Sequence, residues 1–246
     1  MKQGIVVSDL HLFASRSDGE EKFSRLSGQL AEVDALVLNG DIFDFRWALI
    51  PHKKSVPLAA KWLEDLRSEF PHLEIHFIPG NHDCLPAFLE ILPEIPGIDV
   101  HSHHLLLGTN LFLHGDATTR RMNLDEFHQF RTAWEEDQPR GNASAQLYHL
   151  SDATGLTELT HRLWFGGGAA LRRLIWHLDA VVPSWRDKVD DTFYGHTHLD
   201  HKAVEKQGIR FHNTGSALRR SRFVPAVFEY EDTPTVCSES HESSKQ

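Results

Sequence analysis

The sequence predicts an α/β fold, either one mixed sheet or two packed sheets with helices on their faces. Three observations carry that expectation. Short apolar runs that read as buried strands recur at Ile5-Val6-Val7, Ala35 to Leu38, Ile75 to Ile78, Leu111 to Leu113 and Thr192 to Tyr194, each closed by turn-forming or polar residues. Between the first three runs lie stretches with helical apolar spacing, the alternation of a layered α/β protein. Further on, Leu105 to Leu107 and Leu111 to Leu113 flank Gly108-Thr109-Asn110 as a hairpin, so the strict alternation gives way to a mixed arrangement.

In chain order, the first strand leads into a loop from Phe13 to Gly19. Glu20 to Val33 then carries Phe23, Leu26 and Leu30 at helical spacing. The second strand is followed by an irregular stretch holding Pro51 and Pro57, before Leu58 to Phe70 resumes a helix with Trp62, Leu63 and Leu66 on one side. The third strand ends at Pro79-Gly80, and a short Pro-bounded helix covers Ala87 to Leu92. From 117 to 188 the pattern is helical and holds four of the six tryptophans, which marks an inserted segment between cores at 1–116 and 189–231. Within it Leu171, Leu174, Ile175, Leu178, Val181 and Val182 share one helical face, with Arg172, Arg173 and Trp176 on another. Gln207-Gly208 joins two short strands, Phe223 to Tyr230 supplies a last one, and the Ser- and Glu-rich tail 232–246 reads as disordered.

A chain of 246 residues with 40% hydrophobic content builds one substantial core. The formal net charge of −10 argues against broad nucleic-acid affinity, which needs a basic footprint. Cys84 and Cys237 have no ligand-like spacing, so neither a disulfide framework nor a thiolate metal site is expected. A reducing cytoplasm is the simplest setting, with peripheral contact at the inner membrane face as an addition. The opening apolar run is too short for a signal-peptide core, and no stretch reaches membrane-spanning length.

The five strand ends carry the chemistry: Ser8-Asp9-Leu10-His11, Asn39-Gly40-Asp41, Pro79-Gly80-Asn81-His82-Asp83, His114-Gly115-Asp116 and Gly195-His196-Thr197-His198. A single strand-end Asp or Asn is usually a turn former or helix cap. Five in order are different, because open α/β sheets bind ligands outside the carboxyl ends of their strands, where these turns converge on one cluster. The set offers nitrogen and oxygen but no thiolate. Imidazole suits zinc, iron and manganese, whereas magnesium prefers carboxylate and water; manganese is the first choice, with iron or zinc as alternatives. Eight contacts from seven residues imply two ions bridged by Asp41. Such a pair generates a nucleophilic hydroxide near neutral pH and clamps an in-line displacement at phosphorus.

Asp9-x-His11, Gly40-Asp41-x-x-Asp44, Gly80-Asn81-His82-Asp83, His114-Gly115-Asp116 and Gly195-His196-x-His198, in that order, resemble the motif set of the calcineurin-like metallophosphoesterases. The resemblance spans nearly the whole core and implies a four-layer αββα sandwich of two mixed sheets flanked by helices. It implies one metal held by Asp9, His11, Asp41 and His198 and a second held by Asp41, Asn81, His114 and His196. It makes His82 a catalytic group facing the substrate, with the Asp83 carboxylate holding its ring. Within the family, Asp125 to Arg131 is similar to the UDP-2,3-diacylglucosamine hydrolases, which implies a helical lid over 117–188 and pairing of Arg131, with Arg120 or Arg121, to substrate phosphates. One departure is plain. That branch has Arg in the Gly-Asn-x-Asp turn where this chain has His82, and a histidine acid suits an ester with a poor leaving group better than a diphosphate.

The expected substrate is a phosphorylated small molecule or a lipid-linked nucleotide. Trp164, Trp176 and Trp185, among Arg162, Arg172, Arg173, Arg186 and Lys188, either pack on the core or form a basic aromatic surface for an amphipathic substrate or a membrane. His101, His103 and His104 read as surface or packing residues, and His212 as a support for the metal shell. A rival class, a non-catalytic scaffold with the same fold, would have shed ligands, and this chain retains the full set.

Overall fold

The computed structural model describes residues 1–48, 50–135, 164–166 and 168–231. Strand β1 (Lys2–Val7) is followed by α1 (Gly19–Ser24), α2 (Ser27–Leu30), β2 (Ala35–Asn39), α3 (His52–Glu69), β3 (Glu74–Ile78), α4 (Pro86–Ile91) and β4 (Ile98–Val100). Then come β5 (His104–Leu107), β6 (Asn110–Leu113), α5 (Leu124–Glu135), α6 (Ala169–Val181), β7 (Asp191–Tyr194), β8 (His201–Lys206), β9 (Ile209–Asn213) and β10 (Ala226–Tyr230).

The described residues form two five-stranded mixed sheets, ordered β10-β1-β2-β3-β4 and β5-β6-β7-β9-β8. Parallel pairing holds β1 to β4 together, with β10 antiparallel at the edge; in the second sheet β6, β7 and β9 are parallel and β5 and β8 antiparallel. Alternation along each strand sorts the side chains into three apolar layers. Val6, Ala35, Val37 and Ile78 meet Leu105, Leu107, Phe112, Phe193 and Phe228 between the sheets. Ile5, Val7, Leu36, Leu38, Ile75 and Phe77 face outward against Phe23, Leu30, Ala59, Leu63 and Phe88 of the first helical layer. Leu111, Leu113, Tyr194 and Phe211 face Leu171, Leu174, Ile175, Leu178 and Trp185 on the far side. The architecture is therefore αββα.

Several boundaries differ from expectation. The helix expected over Glu20 to Val33 is two short ones, because Ser24, Ser27 and Gly28 are weak helix formers at the join, yet Phe23, Leu26 and Leu30 stay buried. Helix α3 starts at His52 behind an extended Pro51, six residues earlier than expected, and runs through Pro57. Burial of Val56, Ala59 and Leu63 holds the chain helical across the amide that Pro57 lacks. Strand β4, three residues long, has too little periodicity to be read from sequence. Of the segment expected as a lid, α6 and Trp185 form the outer layer on the second sheet. The rest of that segment between 136 and 163, and the tail 232–246, lie outside the described residues. Among those described, no helix is long and apolar enough to cross a membrane.

Candidate metal centre

The carboxyl ends of β1, β2 and β3 in one sheet meet those of β6 and β7 in the other. Asn39 at the end of β2 ties the sheets together, its side-chain amide donating to the carbonyls of Leu113 (3.0 Å) and Phe193 (3.2 Å). Around it the motif turns bond to one another: Asp9 N to Gly40 O at 2.9 Å, His11 N to Asp41 O at 2.9 Å and Gly195 N to His114 O at 2.8 Å. Asp9, His11, Asp41, His196 and His198 all have left-handed backbone, with φ between 49° and 66°. Non-glycine residues hold that conformation only where the surroundings over-determine it, which is typical of functional sites. The motif glycines serve close approach: a Cβ on Gly80 would run into the Asp41 carboxylate, and one on Gly195 into that of Asp9.

Seven side chains converge as two overlapping sets. In the first, His198 Nε2 lies 3.3 Å from Asp9 Oδ1 and 3.2 Å from His11 Nε2, and His11 Nε2 is 3.9 Å from Asp41 Oδ2. In the second, His114 Nε2 is 3.2 Å from Asp41 Oδ2, and His196 Nδ1 is 2.9 Å from Asn81 Oδ1. The outer partners assign the tautomers. His11 Nδ1 faces Asp44 Oδ2 at 3.2 Å and His114 Nδ1 faces the Asn39 carbonyl at 3.1 Å, so each ring carries its proton there and turns an Nε2 lone pair inward. His114 Nε2 is buried without a hydrogen-bond partner. Lone pairs facing a carboxylate in a dry pocket need a cation between them, and the donor set fits divalent metals. Without one, a proton takes that place. Burial opposes it, but Asp41, Asp116 and Asp9 push His114 up to about 10. Burial takes His196 the other way, to about 4, and leaves it a neutral ligand. Burial alone would raise Asp9 and Asp41 too, but the facing histidines outweigh it and hold both carboxylates ionised.

The family model for calcineurin-like phosphoesterases matches residues 5–200, a span that contains all seven of these side chains. The chain belongs to the calcineurin-like phosphoesterase family. UDP-2,3-diacylglucosamine hydrolase of Shewanella baltica (strain OS155 / ATCC BAA-1091) is 31% identical over 121 residues, covering 46% of this chain and 47% of its own. The protein of that name from Shewanella frigidimarina (strain NCIMB 400) is 30% identical over 141 residues, 54% and 55% of the two chains. The chain thus spans about half the length of the curated relatives it matches. Among solved structures, a dimetal phosphatase from Danio rerio covers 94% of this chain and 93% of its own at 11% identity with a TM-score of 0.43. A likeness at that level carries no functional argument.

In this member of the family the ring of His82 is held by Asp44, whose Oδ1 lies 2.9 Å from Nδ1, and not by Asp83 as expected. Asp83 is turned under the turn instead and accepts from the backbone amides of Gly80 (2.9 Å), Phe43 (2.8 Å) and Ile42 (3.3 Å). The physical reason is reach: a residue next to His82 in the turn points to the opposite side, whereas Asp44 comes from the neighbouring strand end. Asp44 supports His11 with its other oxygen, so one carboxylate orients the rings of His11 and His82 together. Burial works against a charge on His82, but Asp44 and Asp41 outweigh it and raise its pKa.

The arginines divide differently from expectation. Arg131 is buried, donating to Asp116 Oδ2 at 2.7 Å and to the carbonyls of Pro79 (2.6 Å) and Ser102 (3.0 Å), with its guanidinium stacked 4.4 Å over Phe127. It braces the turn that carries Asn81 and His82 and neutralises Asp116; it does not face outward for a substrate phosphate, because α5 packs that side of the helix against the core. Arg120 and Arg121 are exposed between the His114 turn and α5. His212 also lies elsewhere, bonded to Asp191 at the opposite end of β7. Thr119 and Arg16 emerge only in three dimensions. Thr119 Oγ1 sits 2.8 Å from His196 Nε2, and buried Arg16 is close enough to lower the pKa of His82. Asp44 had a signal, its spacing from Asp41; Thr119 had none.

Proposed function

We propose that the chain hydrolyses a phosphate ester or diphosphate at a pair of divalent cations, with His82 as the acid for the leaving oxygen. The single observation that carries this reading is the placement of His82: an imidazole fixed by Asp44 beside the two overlapping ligand sets. One cation belongs to Asp9, His11, Asp41 and His198, the other to Asp41, Asn81, His114 and His196. When bound, the cations supply Lewis-acid charge for the phosphoryl oxygens and a nucleophilic water near neutral pH; manganese suits the imidazole-rich set. Asp44 holds the proton of His82 Nδ1, leaving Nε2–H to donate to the departing oxygen. General acids of this kind contribute about 10²- to 10⁴-fold.

A second reading gives the substrate a lipid-linked nucleotide diphosphate. The name of the Shewanella relatives supports it, as do exposed Trp164 and Trp176 beside Arg173. Both readings are separated by assaying an aryl phosphate monoester, a diester and a detergent-dispersed UDP-linked lipid with added manganese. The ester reading expects turnover of the monoester or diester and a loss of about 10²- to 10⁴-fold in His82→Ala, deepest for the poorer leaving group. Turnover of the lipid alone, indifferent to His82→Ala, overturns it in favour of the second. No turnover of any phosphorus compound by fully metallated protein removes both.

A further inference from the structure

Three imidazoles of the centre, His11, His114 and His196, have their outer nitrogen held, but not by the same kind of group. His114 leans on the main-chain carbonyl of Asn39 and His11 on the carboxylate of Asp44, both parts of the sandwich. His196 leans on a hydroxyl from the loop beyond the sandwich, Thr119 Oγ1, 2.8 Å from Nε2. When Nε2–H donates to that oxygen, Nδ1 keeps its lone pair and faces Asn81 Oδ1, also an acceptor, at 2.9 Å. Two acceptors at that separation are reconciled by a cation between them. Should the ring carry its proton on Nδ1, it would bond to Asn81 and close the second seat.

Thr119 is itself held from several sides. Its amide donates to Asp116 O at 3.0 Å, and its carbonyl accepts Trp164 Nε1 at 3.1 Å. The carbonyl of Thr118 accepts Arg173 Nη1 at 2.8 Å, and Arg173 lies 5.4 Å over the Trp164 ring. Phe165 meets His196 edge to face at 6.0 Å. A hydroxyl on a free loop would rotate away from its imidazole at little cost; this one is pinned by Trp164 and by α6.

We propose that Thr119 is the positioning residue of the second cation seat: its hydroxyl holds the His196 ring by Nε2 and so keeps Nδ1 towards Asn81, and Trp164 with Arg173 hold that hydroxyl in place. The assignment rests on the two-cation reading and adds that the two seats differ in what supports them. In the first, the outer nitrogen of His11 is held by Asp44 at the end of β2. The second depends on a latch between the loop after Asp116 and Trp164 and Arg173.

The test is a manganese titration of metal-stripped protein, followed by calorimetry for stoichiometry and by electron paramagnetic resonance for the spin coupling of a pair. Wild type takes up two ions and shows the coupled signal. Thr119→Val keeps the shape without the hydroxyl; it retains one ion, weakens the other by about 10- to 100-fold and loses the coupling. Thr119→Ser restores the hydroxyl and with it the second ion. Trp164→Phe, which deletes only the donor to the Thr119 carbonyl, weakens the same ion by a smaller factor. A merely structural threonine would instead lower the melting temperature of the metal-free protein in both Thr119 variants and leave the ratio of the two affinities unchanged, which overturns the proposal. Two equally tight ions in Thr119→Val overturn it alone, whereas wild type that takes up no manganese overturns the two-cation reading and this assignment together.

Discussion

Two groups of largely buried histidines among the described residues differ in what faces them. At the strand ends His11, His82, His114, His196 and His198 stand among Asp9, Asp41 and Asp44. On the far side of Arg131, His103 joins His104 (Nδ1 to Nδ1, 2.8 Å) and His177 (Nε2 to Nε2, 2.8 Å), and His177 Nδ1 donates to Met122 O at 2.5 Å. That last bond orders the chain: His177 accepts from His103, which accepts from His104, and all three rings are neutral. Burial pulls the pKa of each below the ordinary value; neighbouring rings deepen it for His103 and His104, whereas at His177 the Met122 carbonyl and Asp116 oppose burial without cancelling it. Burial does the same at the centre, but there carboxylates oppose it and raise His114 and His82. Burial by itself makes a histidine a neutral packing group that ties β5, α5 and α6 together. Facing carboxylates make it a seat for positive charge.

Breaking the first group should cost activity, and breaking the second should cost stability. The largest effect is expected for Asp41→Ala, which removes the shared carboxylate. Activity should fall by at least about 10³-fold, corresponding to several kcal/mol of charge stabilisation, with loss of bound manganese and little change in the melting temperature of the stripped protein. Retained turnover would end the idea of a bridged pair. Arg131→Ala lies between the groups and leaves Asp116 buried without its cation, so denaturant unfolding should lose about 3–5 kcal/mol. Unchanged stability with a raised KM would return that guanidinium to the substrate. His177→Phe should cost about 1–3 kcal/mol by unpairing His103 and the Met122 carbonyl, while kcat of the folded protein stays at the wild-type value.

The smallest effect is a pH slope. His101, facing His76, Asp99 and His104, is held by burial at about 4 in the folded protein against 6.5 for a free ring. Between those values the unfolded chain binds the extra proton, so stability falls as pH drops from about 6.5 towards 4. Urea midpoints for wild type and His101→Asn across that window should converge at low pH. Parallel curves would place His101 in water.

Much of this was legible before any coordinates. Asp9, His11, Asp41, Asn81, His114, His196 and His198 stand out because ligand chemistry demands particular atoms, and β-strand geometry delivers them directly after short apolar runs. The leucine face of α6 was equally plain, but its destination was not: the same stripe suits a lid or an outer layer, and contact with Leu111, Tyr194 and Phe211 decided for the layer. Likewise Asp83 is next to His82 in the chain whereas Asp44 is 38 residues away, yet it is Asp44 that bonds to the ring, and nothing in the sequence shows that Arg131 turns inward.

What the sequence determined by itself is the kind of site and the residues that build it, since strand periodicity and side-chain chemistry are local properties. What only the tertiary structure decided is who serves whom: Asp44 under His82, Thr119 behind His196, Arg131 turned inward onto Asp116. Those pairings depend on how segments far apart in the chain pack within hydrogen-bond distance, and no local pattern carries that information.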